Sequence, residues 1–235
     1  MKKFILIISF FFIQSTLAQS IHFTNPDLEK TILLKYPEID LNKNGKIEKE
    51  EAESILRLDL MKQNLTNVDD IQYFRNLEYL SLTINDITKL KLSDFKKLKE
   101  FYCARNKLVE FEISNMPLLK DFAIGRNELK TISIINCPNI ESINMMDNQI
   151  NNFDFKPFKK LKYLTIDNNH FEKLDLSHNP DLIQINIRKN NIQTLDITKN
   201  VNLKMDILYI DPNVKITGTP EQIKNYKPGP IIYTK

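Results

Sequence analysis

Between Leu77 and Asn200 the apolar residues of this chain recur on a fixed beat. Leu77-x-x-Leu80-x-Leu82-x-x-Asn85-x-Ile87 is followed by Leu98-x-x-Phe101-x-Cys103-x-x-Asn106-x-Leu108 and then by Leu119-x-x-Phe122-x-Ile124-x-x-Asn127-x-Leu129. Copies beginning at Ile140, Leu161 and Leu182 continue the series, each 21 residues after the last, and an earlier copy begins at Ile55, 22 residues before Leu77. After Leu203 the pattern blurs. A period of this length marks a stack of like units, each burying its apolar side only against its neighbours. Numbering each unit from its first apolar residue, the alternation at positions 4 and 6 predicts a short strand with Leu80 and Leu82, Phe122 and Ile124, or Leu164 and Ile166 turned inward. Position 11 fills the next corner, and positions 14 and 16 (Leu90 and Leu92, Ile132 and Ile134, Leu174 and Leu176) supply an opposing wall.

Position 9 is polar throughout, as Asn85, Asn106, Asn127, Asn148, Asn169 and Asn190, with Gln63 in the first copy. A chain that turns sharply inward after each strand leaves backbone groups unpaired, and an amide can both donate to and accept from them, whereas Asp cannot donate and Leu can do neither. Six in register form a ladder. The pattern resembles the leucine-rich repeat family over roughly residues 55–210. The resemblance implies an α/β repeat solenoid, a horseshoe of about 21-residue repeats with short parallel strands, expected at positions 3 to 7, on its concave face. Such a stack exposes core at both ends, so caps are required.

The stretch before the first repeat meets that requirement as helix, loop, helix. Asn25 and Pro26 form a helix start, Leu28, Ile32 and Leu33 share one face, and Pro37 ends the segment. Then comes Asp40-Leu-Asn-Lys-Asn-Gly-Lys-Ile-Glu-Lys-Glu-Glu51, which has the spacing of a calcium loop. Asp40, Asn42 and Asn44 offer side-chain oxygens, Lys46 its carbonyl, Glu48 a carboxylate acting through water, and Glu51 two oxygens, while Gly45 permits the turn and Ile47 packs inward. A single loop with three carboxylates and two amides suits millimolar Ca2+. Secreted bacterial leucine-rich repeat proteins similar to the internalins carry an EF-hand-like cap in this place; this chain keeps a ligand set that theirs has lost, and lacks their following immunoglobulin-like domain and wall-sorting tail. The expected organisation is a signal peptide over 1–18, an EF-hand-like cap over 19–54, repeats over 55–210, and a C-terminal cap and tail over 211–235. In the last of these, Thr219-Pro220-Glu221 starts a helix and Pro228-Gly229-Pro230 an extended tail.

Lys2 and Lys3 before the apolar run Phe4–Ile13, then Ser15-Thr16-Leu17-Ala18, predict export with cleavage after Ala18, to a secreted or periplasmic location. Ten apolar residues are too few for a span that needs roughly 20. The formal charge of +3 falls to +1 without Lys2 and Lys3, which leaves no field to attract nucleic acid. Cys103 falls inside the core of one repeat and Cys137 on the opposite side of the next, so two free thiols are expected and no disulfide.

Chemistry is sparse. His22, His170 and His178 lack partners at metal or catalytic spacing, no nucleophile motif or phosphate loop occurs, and Asn64-Leu65-Thr66 is the lone glycosylation triplet, so no enzyme is expected. Function falls to the outward positions 3, 5 and 7 of the strands. Ala104, Ala123 and Gly125 make a floor there. Around it stand Tyr102, Tyr79 diagonally about 8 Å away, and at position 8 Arg105 beside Arg126, with Asp147 next. Met146 and Tyr163 extend the candidate partner-binding set. The expected function is an exported, monomeric interaction module that binds an extracellular or envelope protein or glycan through its concave face. A structural or adhesive envelope component without a specific ligand is the alternative.

Overall fold

The computed structural model describes residues 21–227; the expected signal peptide and the Pro228-Gly229-Pro230 tail lie outside them. Two helices, α1 (Pro26–Lys35) and α2 (Lys49–Ser54), precede the strands. The strands are β1 (Arg57–Asp59), β2 (Tyr79–Ser81), β3 (Lys89–Ser93), β4 (Glu100–Tyr102), β5 (Glu110–Ser114), β6 (Asp121–Ala123), β7 (Ser133–Ile135), β8 (Ser142–Asn144), β9 (Tyr163–Thr165), β10 (Gln184–Asn186), β11 (Thr194–Asp196) and β12 (Lys215–Thr217), with α3 (Pro220–Asn225) last. They wind as a parallel-strand solenoid. One seven-stranded sheet runs β1-β2-β4-β6-β8-β9-β10, and a second, of three strands, runs β3-β5-β7 on the opposite wall.

Pairing in the larger sheet is position on position: Tyr79 faces Glu100 and Glu100 faces Asp121, so each outward residue becomes part of a column across the repeats. The strands span positions 3 to 5, shorter than the expected 3 to 7, yet the backbone ladder continues past them, with Leu82 N–H donating to Tyr102 (2.7 Å) and Ile84 N–H to Ala104 (2.9 Å). What ends the strand is a left-handed residue at position 8 in every repeat, from Lys62 (φ 59°) through Ile84, Arg105, Arg126, Asp147 and Asn168 to Lys189. A β-branched residue such as Ile84 rarely adopts that conformation. Its presence shows that the turn, not the residue, sets the geometry.

Directly after that turn comes the asparagine column. Asn127 is representative: its Nδ2 donates to Cys103 O of the preceding repeat (3.1 Å) and to Ile124 O of its own (2.9 Å), while its Oδ1 accepts from Leu108 N–H (3.1 Å). Asn85, Asn106, Asn148, Asn169 and Asn190 repeat the scheme. Gln63 instead donates to Met61 and Lys62 beside it. It has no preceding repeat to reach.

Positions 4, 6 and 11 are buried in each repeat, as is Cys103; Cys137 is buried on the far side, and both thiols are free. Both ends of the large sheet are closed, the first by side chains and the second by the backbone bridge of Asn186 to Tyr209 and by Asp211. At β1 the Tyr36 hydroxyl accepts from Asp59 N–H (2.8 Å) and donates to Asp59 O (3.1 Å), and Lys35 donates to the same carbonyl, so the edge is covered. At the other end Asp211 takes the place of the next repeat's carbonyls, accepting from Lys189 N–H (2.7 Å) and Asn190 N–H (3.4 Å).

Candidate functional site

The outward side chains over β1, β2, β4 and β6 form an aromatic and charged cluster. The Arg57 guanidinium lies 3.4 Å from the centre of the Tyr79 ring, and Tyr79 leans on Tyr102 with ring centroids 5.6 Å apart, nearer than their diagonal Cα spacing suggests. Tyr102 donates its hydroxyl to Glu100 (3.1 Å), and burial together with the Glu100 charge pushes that phenol well above its ordinary range. Neither Glu100 nor its register partner Asp121 forms an ion pair among the described residues. Burial, and after it Glu100, raises the Asp121 carboxyl. Arg57 and Glu100 are members of this cluster that the repeat pattern does not single out. Their signal was available in the position-3 column, which reads Arg57, Tyr79, Glu100 and Asp121, one aromatic among three charges.

Beside the cluster lies a shallow depression of about 260 Å³ lined by Thr83, Ile84, Ala104, Arg105, Gly125, Arg126, Asn144 and Met146. Three of the expected partner-binding residues, Arg105, Arg126 and Met146, thus meet on one floor. Arg126 Nε donates to Asp147 (3.2 Å), which also accepts from Asn168 (2.6 Å), and Arg105 forms no ion pair among the described residues. A Cβ on Gly125 would stand 2.9 Å from Met146 Cγ, so that glycine makes room for the methionine lying across it. The depression is open, and smaller than the roughly 300–1,000 Å³ of ligand pockets. Tyr163, also expected in the patch, stands three strands from Glu100, about 14 Å away. It lies one strand beyond Asn144, at the edge of the depression. A larger groove of about 620 Å³ crosses β3, β5 and β7 on the other wall, where Lys89 pairs with Glu110 (2.7 Å) and Lys91 with Glu112 (2.9 Å), so its lysines are neutralised.

The loop Asp40–Glu51 closes on itself. Asp40 accepts from Asn44 and Gly45 N–H (3.0 and 2.8 Å), Asn42 from Asn44 N–H (3.0 Å), and Asn44 Oδ1 from Lys46 N–H (2.9 Å), with Gly45 at φ 78°. Glu51 accepts from Leu41 and Glu48 N–H (2.8 and 2.9 Å), and Asn44 Nδ2 donates to Glu48. Glu48 and Glu51 are both buried, and Glu48 Oε2 has no partner. Hydrogen bonding from Glu51 holds the Glu48 carboxyl below its ordinary value, and burial raises that of Glu51. Among the described residues no group of three or more His, Cys, Asp or Glu side chains gathers tightly enough to hold a metal. The loop's all-oxygen donors, two of them amides and one the Lys46 carbonyl, match a hard cation, and the buried Glu48 oxygen is an acceptor left over. Ile47 N–H donates to Glu29 of α1 (2.9 Å), which fastens this single loop to the cap's own first helix.

Neither a protein-family model nor a curated protein matches the sequence. Among solved structures, a leucine-rich repeat protein of Leptospira interrogans is similar over 77% of this chain and 50% of that one, with 22% identity and a TM-score of 0.62. The fold is a leucine-rich repeat solenoid. Internalin C2 of Listeria monocytogenes is 20% identical over 84% of this chain and 94% of that one, with a TM-score of 0.48. The chain spans half the length of the Leptospira protein. No helix among the described residues is long and apolar enough to cross a membrane.

Proposed function

We propose that the protein is an exported interaction module that binds a protein or glycan of the extracellular space or envelope through the concave face of its larger sheet, with a calcium-stabilised N-terminal cap. The observation that carries this reading is the joining of the Arg57–Tyr79–Tyr102 stack to the floor around Ala104 and Gly125, rimmed by Arg105, which forms no ion pair among the described residues. Rigid aromatics and arginine around a small-residue floor are the side chains that dominate binding at interface centres. In a binding screen against extracellular proteins and glycans, Tyr102→Ala and Arg105→Ala each weaken the selected partner by more than about 1 kcal/mol, while Lys130→Ala and Lys173→Ala leave it unchanged. The opposite pattern would place docking on the other wall.

In the cap, Asp40, Asn42, Asn44, the Lys46 carbonyl, Glu48 and Glu51 would hold Ca2+. An ion bound only by the folded state stabilises it by mass action. Thermal melts therefore shift upward in millimolar Ca2+ relative to chelator, and Glu51→Gln abolishes the shift. Superimposable melts of the unaltered protein would show that the loop is purely structural.

A further inference from the structure

The outward face changes character after β6. Over β8, β9 and β10 the position-3 column reads Ser142, Tyr163 and Gln184, and the position-5 column reads Asn144, Thr165 and Asn186, so six adjacent sites carry hydroxyl, phenol or amide and none carries charge. Two of the amides are aimed. Asn144 Oδ1 accepts from Met146 N–H (3.2 Å) and Asn186 Oδ1 from Arg188 N–H (3.4 Å), which anchors each oxygen to its own backbone and leaves each Nδ2 without a protein partner. Among the described residues the Gln184 amide, the Thr165 hydroxyl and the Tyr163 phenol likewise bond to no protein group. Tyr163 is 45% exposed. On the preceding strands the same kinds of group are already spent: Arg57 covers Tyr79, and Glu100 holds the Tyr102 hydroxyl. Charge returns only at the border, with Asp121 beside Ser142 and with Asp167 and Arg188 at position 7.

We propose that the face of β8, β9 and β10 is a binding site for a neutral saccharide, which borders the aromatic and arginine patch over β1 to β6 at Asn144. A sugar offers hydroxyls that both donate and accept, and C–H faces that lie on an aromatic ring; this array presents amide donors, hydroxyls and one open ring, and no carboxylate or cation to be stripped of water without compensation. Because the two Nδ2 groups, the Gln184 amide, the Thr165 hydroxyl and the Tyr163 phenol have no protein partner among the described residues, a sugar hydroxyl can bond to them without breaking a protein hydrogen bond. The strand spacing of about 4.8 Å is close to the advance of one sugar along an extended chain, so a saccharide crossing the strands meets a fresh polar rung at each unit.

The experiment is a titration of the isotope-labelled chain with three neutral hexasaccharides, cellohexaose, chitohexaose and maltohexaose, and with the acidic polymer polygalacturonate, followed by amide and tyrosine NMR signals. The expected result is saturable binding of at least one neutral hexasaccharide, with shifts centred on Tyr163, Asn144 and Asn186. Tyr163→Ala weakens it about tenfold or more, Tyr163→Phe retains it, and the unfolding midpoint of both variants stays at that of the unaltered chain because the ring lies outside the core. Asn144→Asp with Asn186→Asp, which keeps the backbone anchors but removes the outward donors, also abolishes it. Tyr102→Ala leaves it intact, since Tyr102 lines neither the depression at Asn144 nor the strands β8 to β10, so a failure of this site is distinguishable from a failure of the patch. The proposal is overturned if no neutral hexasaccharide saturates at tens of millimolar, if Tyr163→Ala binds as the unaltered chain does, or if polygalacturonate binds more tightly than every neutral sugar.

Discussion

The repeats beginning at Leu77, Leu98 and Leu119 and those beginning at Ile140, Leu161 and Leu182 share one period, one inner strand and one asparagine column, yet they close the coil differently. In the first group the wall opposite the large sheet is itself a sheet, β3-β5-β7, and the chain leaves it through a left-handed residue at position 18: Asp94 (φ 64°), Asn115 (φ 57°) and Asn136 (φ 54°). In the second group position 15 is aspartate each time, and Asp154, Asp175 and Asp196 accept from the N–H two residues on (3.0, 3.0 and 2.9 Å). Asp154 and Asp175 lie in walls that form no strand and Asp196 ends the short strand β11, paired with β12, whereas the first group, with Lys91, Glu112 and Ser133, runs as the three-stranded sheet. Position 18 is then Pro157, His178 or Lys199, with no left-handed backbone.

The last two repeats also replace an apolar column by a second polar ladder. Position 19 is Phe95, Met116, Cys137 and Phe158, then Asn179 and Asn200, all buried. Asn179 Nδ2 donates to Phe155 O and Phe158 O (2.9 and 2.8 Å), Asn200 to Leu176 O and Asn179 O (both 2.9 Å), and Gln222 of α3 to Ile197 O and Asn200 O (3.0 and 3.1 Å). The C-terminal cap therefore continues the ladder with its own amide. One coil thus tolerates two closures, provided that each supplies partners for the carbonyls it turns inward.

The largest expected effect comes from exchanging the two closures at position 18. Asn115→Pro cannot keep φ 57°, and it loses the bond from Asn115 N–H to Ile135 O (2.9 Å), so it costs about 3 kcal/mol or more. The mirror change Pro157→Asn meets no left-handed requirement and costs less than about 1 kcal/mol, mostly through a freer unfolded chain. Urea titrations of the two variants decide it. Equal losses would mean that the turns do not differ energetically.

A smaller contrast separates the two ladders. Asn127→Leu strips three bonds from buried backbone groups and is expected to cost roughly 3 kcal/mol. Asn179→Leu strips two, and it also removes an Oδ1 that has no partner, so its cost is expected to be roughly 1 to 2 kcal/mol. Denaturant midpoints at unchanged m-value give the comparison. A larger loss at Asn179 would make the second ladder the stronger of the two.

Period and polarity made the first ladder, the inner strands and the need for caps legible in the residues, because those features rest on burial repeated six times. The change of closure was not. Asp154 and Glu112 are alike in a pattern of polar and apolar positions, and they differ in that the shorter side chain reaches its own backbone. The second ladder left a trace, since Leu174-Asp-Leu-Ser-His-Asn179 and Leu195-Asp-Ile-Thr-Lys-Asn200 are copies 21 residues apart. On the face, the columns could be assigned from spacing, and Arg105, Arg126 and Met146 do line one floor. The stacking of Arg57 on Tyr79 and the lean of Tyr79 toward Tyr102 depend on rotamers, and spacing does not carry them.

The smallest effect concerns the same division on the outward face, where like charges face each other in the first group and neutral groups in the second. Glu100 and Asp121 are register partners, whereas Ser142 and Tyr163 occupy the corresponding positions two strands on. Burial, and then the Glu100 charge, hold the Asp121 carboxyl above 3.8 in the folded state. The native protein therefore binds a proton more readily than the unfolded chain does at this site, and stability falls as pH rises through the folded value. At pH 7 the penalty is fully present; below 3.8 it is gone. Because Asp121 is only partly buried and its charge is screened, Asp121→Asn should raise stability at pH 7 by only a fraction of about 1 kcal/mol. That advantage should vanish in urea titrations near pH 3 and shrink in high salt at pH 7. An advantage of the same size at both pH values would assign it to the amide's own contacts, and the like-charge pair would then not distinguish the two halves of the face.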